Sequence, residues 1–147
     1  MGLRRFGREL IMQGLYQLEM TGIPEEDILD FLIKKIRKEP CVDIQDIVGF
    51  VKENFAGIAA NKEAIDKLIK EKSKNWHFDR INKVDKSILR LAIYELYYRE
   101  DIPESVSINE AIEIAKKYST GDSSKFINGI LGAIVRDKKK TAGGKEG

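Results

Sequence analysis

Hydrophobic residues recur at three- and four-residue spacing along nearly the whole chain, and no alternation of strand type runs for a useful length, so the pattern predicts an all-α fold. The first helix reads from residue 3 to 21. Phe6, Leu10, Ile11, Gly14, Leu15 and Leu18 line one side, while Arg5, Arg8, Glu9, Met12 and Tyr16 fall opposite, with Arg4 at the edge. Gly22 and Pro24 break the chain, and Pro24, Glu25 and Glu26 suit the first turn of a second helix with the stripe Ile28, Leu29, Leu32, Ile33, Ile36. Glu39-Pro40-Cys41 is the next break. Asp43 is placed to cap a third helix lined by Ile44, Ile47, Val48, Val51 and Phe55. A fourth follows Gly57, with Ala60, Ala64, Ile65, Leu68 and Ile69 inward and alternating lysines and glutamates outward.

Asn82 is the expected cap of helix five. Val84, Ile88, Leu89, Leu91, Ala92, Ile93 and Leu96 make its apolar face the widest in the chain, which predicts a central position. Ser107 and Glu110 have capping-box spacing ahead of the stripe Ile108, Ala111, Ile112, Ala115. Gly121 is expected to close that sixth helix in a left-handed conformation, and Asp122 or Ser123 to cap the seventh. Phe126, Ile127, Ile130, Leu131, Ile134 and Val135 form the seventh helix's apolar face. Gly129 and Gly132 inside it are poor helix formers, which points to close helix packing. The stretch after Val135 carries Arg136, Lys138, Lys139 and Lys140 and ends in small and charged residues. It reads as a flexible basic tail over 138–147, solubilising or attracting phosphate without specificity.

Composition narrows the chemistry. A single cysteine, Cys41, excludes an internal disulfide and a thiolate metal cluster and reads as a small apolar contact. A single histidine, His77, lies between Trp76 and Phe78, where a packed or surface role outweighs catalysis. No glycine-rich phosphate loop occurs. No apolar run spans a bilayer, and the arginines at the start lack a following apolar region, so the expectation is a cytoplasmic protein without cofactor or metal and without enzymatic activity. Net charge is +2, but the first eight residues hold three arginines and no acid. A basic N-terminal turn opposes the helix dipole, so helix stability does not explain Arg4, Arg5 and Arg8, whereas RNA does: arginine grips phosphates, and Tyr16 offers a flat face to an unstacked base. Charged residues reach 34%, mostly Lys and Glu, which raises the expectation of a heat-adapted source with surface ion-pair networks; a mesophilic melting temperature would count against it.

The corner between helices six and seven carries Asp122, Ser123, Ser124, Lys125 and Asn128. Caps and a solvated surface account for one or two of these; the rest cluster at a helix N-terminus suited to phosphate. Trp76 and Phe78 either pack between two halves of the fold or anchor a protein partner.

Ordered strings here resemble the NusB family of bacterial transcription antitermination factors: Ile108-Asn-Glu-Ala-Ile-Glu-Ile-Ala-Lys116, Asp122-Ser-Ser-Lys-Phe-Ile-Asn-Gly-Ile-Leu131, Asp101-Ile-Pro103 and Leu89-Arg-Leu-Ala-Ile-Tyr-Glu-Leu96. At the N-terminus Arg4, Arg5, Arg8, Glu9 and Gln13-Gly-Leu-Tyr16 resemble that family's arginine-rich start, although Phe6 interrupts the cluster and lowers its charge density. Between Gly22 and Asn75 only the helical pattern supports the likeness.

The resemblance implies about seven helices in two packed three-helix bundles, at about 3–72 and 76–137, forming one RNA-binding domain over 1–137. It implies a factor that binds the single-stranded boxA element of ribosomal RNA leader transcripts together with NusE, a small-subunit ribosomal protein, and helps assemble an antitermination complex on RNA polymerase. Arg4, Arg5, Arg8 and Tyr16 would contact RNA, as would Asp122, Ser123, Lys125 and Phe126. Trp76, Phe78, Asp85 and Lys86 would face NusE. The chain itself would be a monomer or a weak homodimer. Two alternatives stay open: a helical adaptor without RNA contact, and a module of an RNA-modifying enzyme, of which this chain would be a fragment.

Overall fold

The computed structural model describes residues 3–40, 43–73 and 77–146, with side chains described as far as Lys139. Among these residues there are seven α-helices, one 3-10 turn and no strand. The helices are α1 (Leu3–Met20), α2 (Glu25–Arg37), α3 (Ile44–Ala60), α4 (Lys62–Lys72), α5 (Lys83–Tyr98), α6 (Glu104–Tyr118) and α7 (Ser123–Glu146), with the turn at Phe78–Arg80 before α5. Cys41 and Trp76 lie outside the described residues. No helix among the described residues is long and apolar enough to cross a membrane.

The chain divides into two compact units, Met1–Asn61 and Lys62–Gly147. The first is a three-helix bundle in which α1 packs on α2 and α3, and α2 on α3. Ile11, Ile28, Leu32, Ile36, Ile47, Val51, Phe55 and Ile58 are buried with almost no exposed surface. Gly14 lets side chains of α2 and α3 press against α1: a Cβ there would sit 2.8 Å from Leu32 Cδ1 and 2.9 Å from Phe55 Cε1. Pro24 precedes α2, and its carbonyl accepts from the Asp27 and Ile28 amides. Asp43 holds the N-cap position of α3 but makes no side-chain cap bond.

In the second unit α5 packs on α4, α6 and α7, which makes it the central helix. Every residue from Asp85 to Leu96 is buried, as the breadth of its apolar face predicts. The Asn82 carbonyl oxygen caps it, accepting from the amides of Val84 at 2.8 Å and Asp85 at 3.3 Å. The polar members of this buried run have partners. The Arg90 guanidinium donates twice to the Asp66 carboxylate of α4, at 2.8 and 3.1 Å, and Glu95 accepts from the Ser107 hydroxyl of α6 at 2.7 Å.

Several local expectations change. The helix expected fourth packs on α5 and α7, so the first unit closes at Asn61 and α4 belongs to the second. Ser107 does not cap α6: the helix starts a turn earlier, after Pro103, and buries Ser107 against Glu95. Gly121 does not close α6 in a left-handed conformation, because no glycine among the described residues has a positive φ; Ser119, in extended backbone, ends the helix instead. A Cβ on Gly129 would meet nothing within 4 Å, and one on Gly132 only the Arg136 side chain at 3.4 Å, so neither marks a close helix contact. Residues expected as a tail continue α7 to Glu146. Lys138 there donates to the Leu96 carbonyl and lies 3.4 Å from the Glu104 carboxylate.

Candidate nucleic-acid interface

The residues singled out from the sequence fall into three groups. The first is on α1. Arg4 is exposed, Arg5 half-buried and Tyr16 exposed, while Arg8 retains only 5% of its surface. Helical geometry separates them: Arg4 and Arg8 share one edge, and Arg5 and Tyr16 another, three turns apart. Two guanidinium groups converge on one ring, Arg4 at 4.9 Å and Arg8 at 5.5 Å from the Phe50 centroid. Gly7 makes room for that ring, since a Cβ there would lie 3.1 Å from Phe50 Cδ2. Of the residues assigned to the polar side of α1, Arg8, Glu9 and Met12 are therefore inside the fold. Each tight arginine–ring contact is worth roughly 0.5–2 kcal/mol and stiffens the basic turn.

The second group is the corner between α6 and α7. Asp122 is exposed and holds the N-cap position of α7, its carbonyl accepting from the Phe126 amide at 3.1 Å. Lys125 is exposed and Phe126 half-buried. Ser123 is buried and turned inward, donating to Asp85 Oδ2 at 2.8 Å. The Ser119 hydroxyl donates to Asp85 Oδ1 at 2.7 Å and lies 2.8 Å from the Ser123 hydroxyl. Both carboxylate oxygens of Asp85 thus hold the corner against the first turn of α5. Charge-assisted bonds to a buried carboxylate are stronger than neutral ones, so this knot fixes how α7 begins. Above it opens a cavity of about 570 Å³ lined by Arg80, Ile81, Asn82 and Asp85 on one side and Thr120, Asp122, Ser123, Lys125 and Phe126 on the other.

The third group surrounds Phe78, in the 3-10 turn. Its half-buried ring has Lys86 Nζ 4.4 Å, Lys70 Nζ 4.9 Å and Arg90 Cζ 5.9 Å from its centroid. Lys86 and Arg90 are buried and Lys70 is exposed. Asp85 and Lys86, expected to face a partner, are 5% and 2% exposed, so they build the fold beneath this surface. Trp76 lies outside the described residues.

Phe126, Lys125, Asp122 and Ser123 come together as the sequence suggests, and Asp85 joins them from the set assigned elsewhere. The sequence reading missed Arg80, Ser119 and Thr120. Arg80 sits two residues before the Asn82 cap, which places it at the start of α5, but nothing in one dimension brings that start to the N-terminus of α7. Among the described residues no group of three or more His, Cys, Asp or Glu side chains is arranged to hold a metal ion.

A model of the NusB family matches residues 6–136. The transcription antitermination protein NusB of Geotalea uraniireducens is 47% identical over 138 residues, spanning 92% of this chain and 95% of that protein. Its namesake from Clostridium botulinum (strain Kyoto / Type A2) is 47% identical over 141 residues, 90% of this chain and 99% of that one. Among solved structures, T. maritima NusB is similar at a TM-score of 0.81 and 37% identity over 92% of each chain. A chain from a structure of antitermination factors NusB and NusE in complex with dsRNA shares the fold, at a TM-score of 0.79 and 22% identity over 91% of this chain and 96% of that chain.

Proposed function

Because this chain belongs to the NusB family, we propose that it is a transcription antitermination factor. In this reading it acts in the cytoplasm as one RNA-binding module over 1–137. With NusE it binds the single-stranded boxA element of ribosomal RNA leader transcripts and helps assemble an antitermination complex on RNA polymerase. A solved structure of the same fold, antitermination factors NusB and NusE in complex with dsRNA, supports NusE and RNA as the classes of partner.

The observation that carries RNA contact is the α6–α7 corner. Lys125 and Asp122 are presented outward from a turn locked beneath by Asp85, Ser119 and Ser123. Rigid presentation of a cation beside an acceptor suits RNA, because the cation holds phosphate while the carboxylate accepts from a base amine or a ribose hydroxyl. On α1, Arg4 and Arg5 take phosphates and Tyr16 stacks or hydrogen-bonds. Arg8 acts through Phe50, ordering the turn that carries Arg4. For NusE, Phe78 and the exposed Lys70 beside it offer the surface, while Asp85 and Lys86 support it from within.

Single substitutions test this. Arg4→Ala and Lys125→Ala each weaken binding to single-stranded boxA RNA and lower the magnitude of its salt slope by about 0.7 for each phosphate left without its cation. Both side chains are exposed; the thermal melt of Lys125→Ala stays unchanged, and that of Arg4→Ala falls only by the lost Phe50 contact, roughly 0.5–2 kcal/mol. Unaltered affinity and slope in both variants would remove these residues from the interface and move the adaptor reading to first place.

A further inference from the structure

The NusB family model matches as far as residue 136, yet α7 runs on to Glu146. The two residues just past that limit each reach another helix. Asp137 pairs with Lys72, the last residue of α4. Lys138 is half-buried, and its ammonium meets the ends of two more helices. It donates to the Leu96 carbonyl in the last turn of α5 and lies 5.1 Å from the centroid of the Tyr97 ring. It also lies 3.4 Å from the carboxylate of Glu104, the first residue of α6.

These contacts answer what the helix ends need. The Arg99 amide closes α5 on the Glu95 carbonyl, and Leu96 carries the next carbonyl in line. The last carbonyls of a helix have no partner within it and concentrate partial negative charge, so an ammonium placed there is favourable. By holding Leu96 and Glu104 together, Lys138 spans the link at 99–103 that joins α5 to α6. The pair of Asp137 with Lys72 has an exposed carboxylate, and pairs of that kind contribute little. A basic stretch that served only solubility would need none of these contacts.

We propose that Asp137 and Lys138 form a clasp that holds the α5–α6 link shut, with Lys138 as its principal hook. When the clasp opens, the link and the last turn of α5 come free locally. The other end of α5 stays fastened to the α6–α7 corner through Asp85, Ser119 and Ser123. The clasp is thus a conformational device separate from the surface offered to RNA, and it does not depend on RNA binding.

Hydrogen exchange followed by mass spectrometry on the full chain tests it. Wild type is compared with Lys138→Met, with Lys139→Met and with a chain ending at Arg136. Methionine keeps an apolar stem and removes the ammonium, and Lys139 is the exposed neighbour that controls for loss of charge. Amides at 95–104 are expected to exchange about tenfold faster in Lys138→Met and in the shortened chain, as local opening does. Amides at 44–58 and 119–126 keep their wild-type rates, and Lys139→Met matches wild type throughout. Wild-type rates at 95–104 in Lys138→Met would overturn the clasp, as would equal acceleration in Lys139→Met. Acceleration spread evenly over all three segments would also overturn it, because the loss would then be global.

Discussion

Asp85 shows how one side chain's meaning changes between sequence and structure. In one dimension it is an acidic residue in the first turn of a helix, available to the dipole or to a partner. In the fold it is 5% exposed and ties Ser119 and Ser123 to the start of α5. Asp85→Ala leaves the buried Ser123 hydroxyl without its carboxylate and should cost about 1–3 kcal/mol, read from the urea unfolding midpoint; no change in midpoint would contradict the assignment. Glycines teach the same lesson. Gly14, Gly129 and Gly132 all interrupt helical runs, and the sequence points to close packing at the last two. Only Gly14 meets crowding from neighbouring helices, because that depends on where Leu32 and Phe55 arrive. Gly14→Ala should therefore destabilise by about 1–3 kcal/mol, since its neighbours are buried and cannot retreat. Gly129→Ala should stabilise by up to about 1 kcal/mol through helix propensity. The same urea titration decides both, and equal effects would refute the distinction.

At the scale of elements, what the sequence makes legible is periodicity. The stripes of α1 to α3, the breadth of the α5 face and the Asn82 cap all follow from local spacing, and they appear in place. Long-range polar pairing is what spacing cannot reveal. Asp66 and Arg90 stand 24 residues apart, and Ser107 reaches back 12 residues to Glu95 instead of capping its own helix. These links decide which helix belongs to which unit: α4 reads as a continuation of the first bundle, yet its Asp66 holds α5 through a bidentate bond. Arg90 is only 2% exposed, so Asp66→Ala removes the carboxylate that accepts two bonds from a buried cation and should cost about 3 kcal/mol, measured by calorimetry. The double variant Asp66→Leu with Arg90→Met should recover most of that loss; a single variant as stable as wild type would show the pair to be incidental.

Over the whole molecule, family membership was legible from ordered strings, and the match over residues 6–136 bears it out. The candidate surface was legible only in part. Residue type marked Arg4, Arg5, Tyr16, Lys125 and Asp122 as outward chemistry, and they are at least partly exposed. It could not separate these from Arg8, Ser123, Asp85 and Lys86, whose polarity serves the interior, nor find Arg80, whose place beside α7 is a product of the fold. A basic turn and a locked corner in a chain of net charge +2 imply binding driven by a few placed cations. The salt dependence should then be modest, and selectivity should come from the acceptor and aromatic groups beside them. The most direct measurement is a salt titration of binding to short single-stranded boxA RNA and to a scrambled RNA, with and without NusE. Preference for boxA that strengthens when NusE is added, with a slope reflecting a few phosphates, is the expected result. Binding that ignores sequence in both conditions would contradict it.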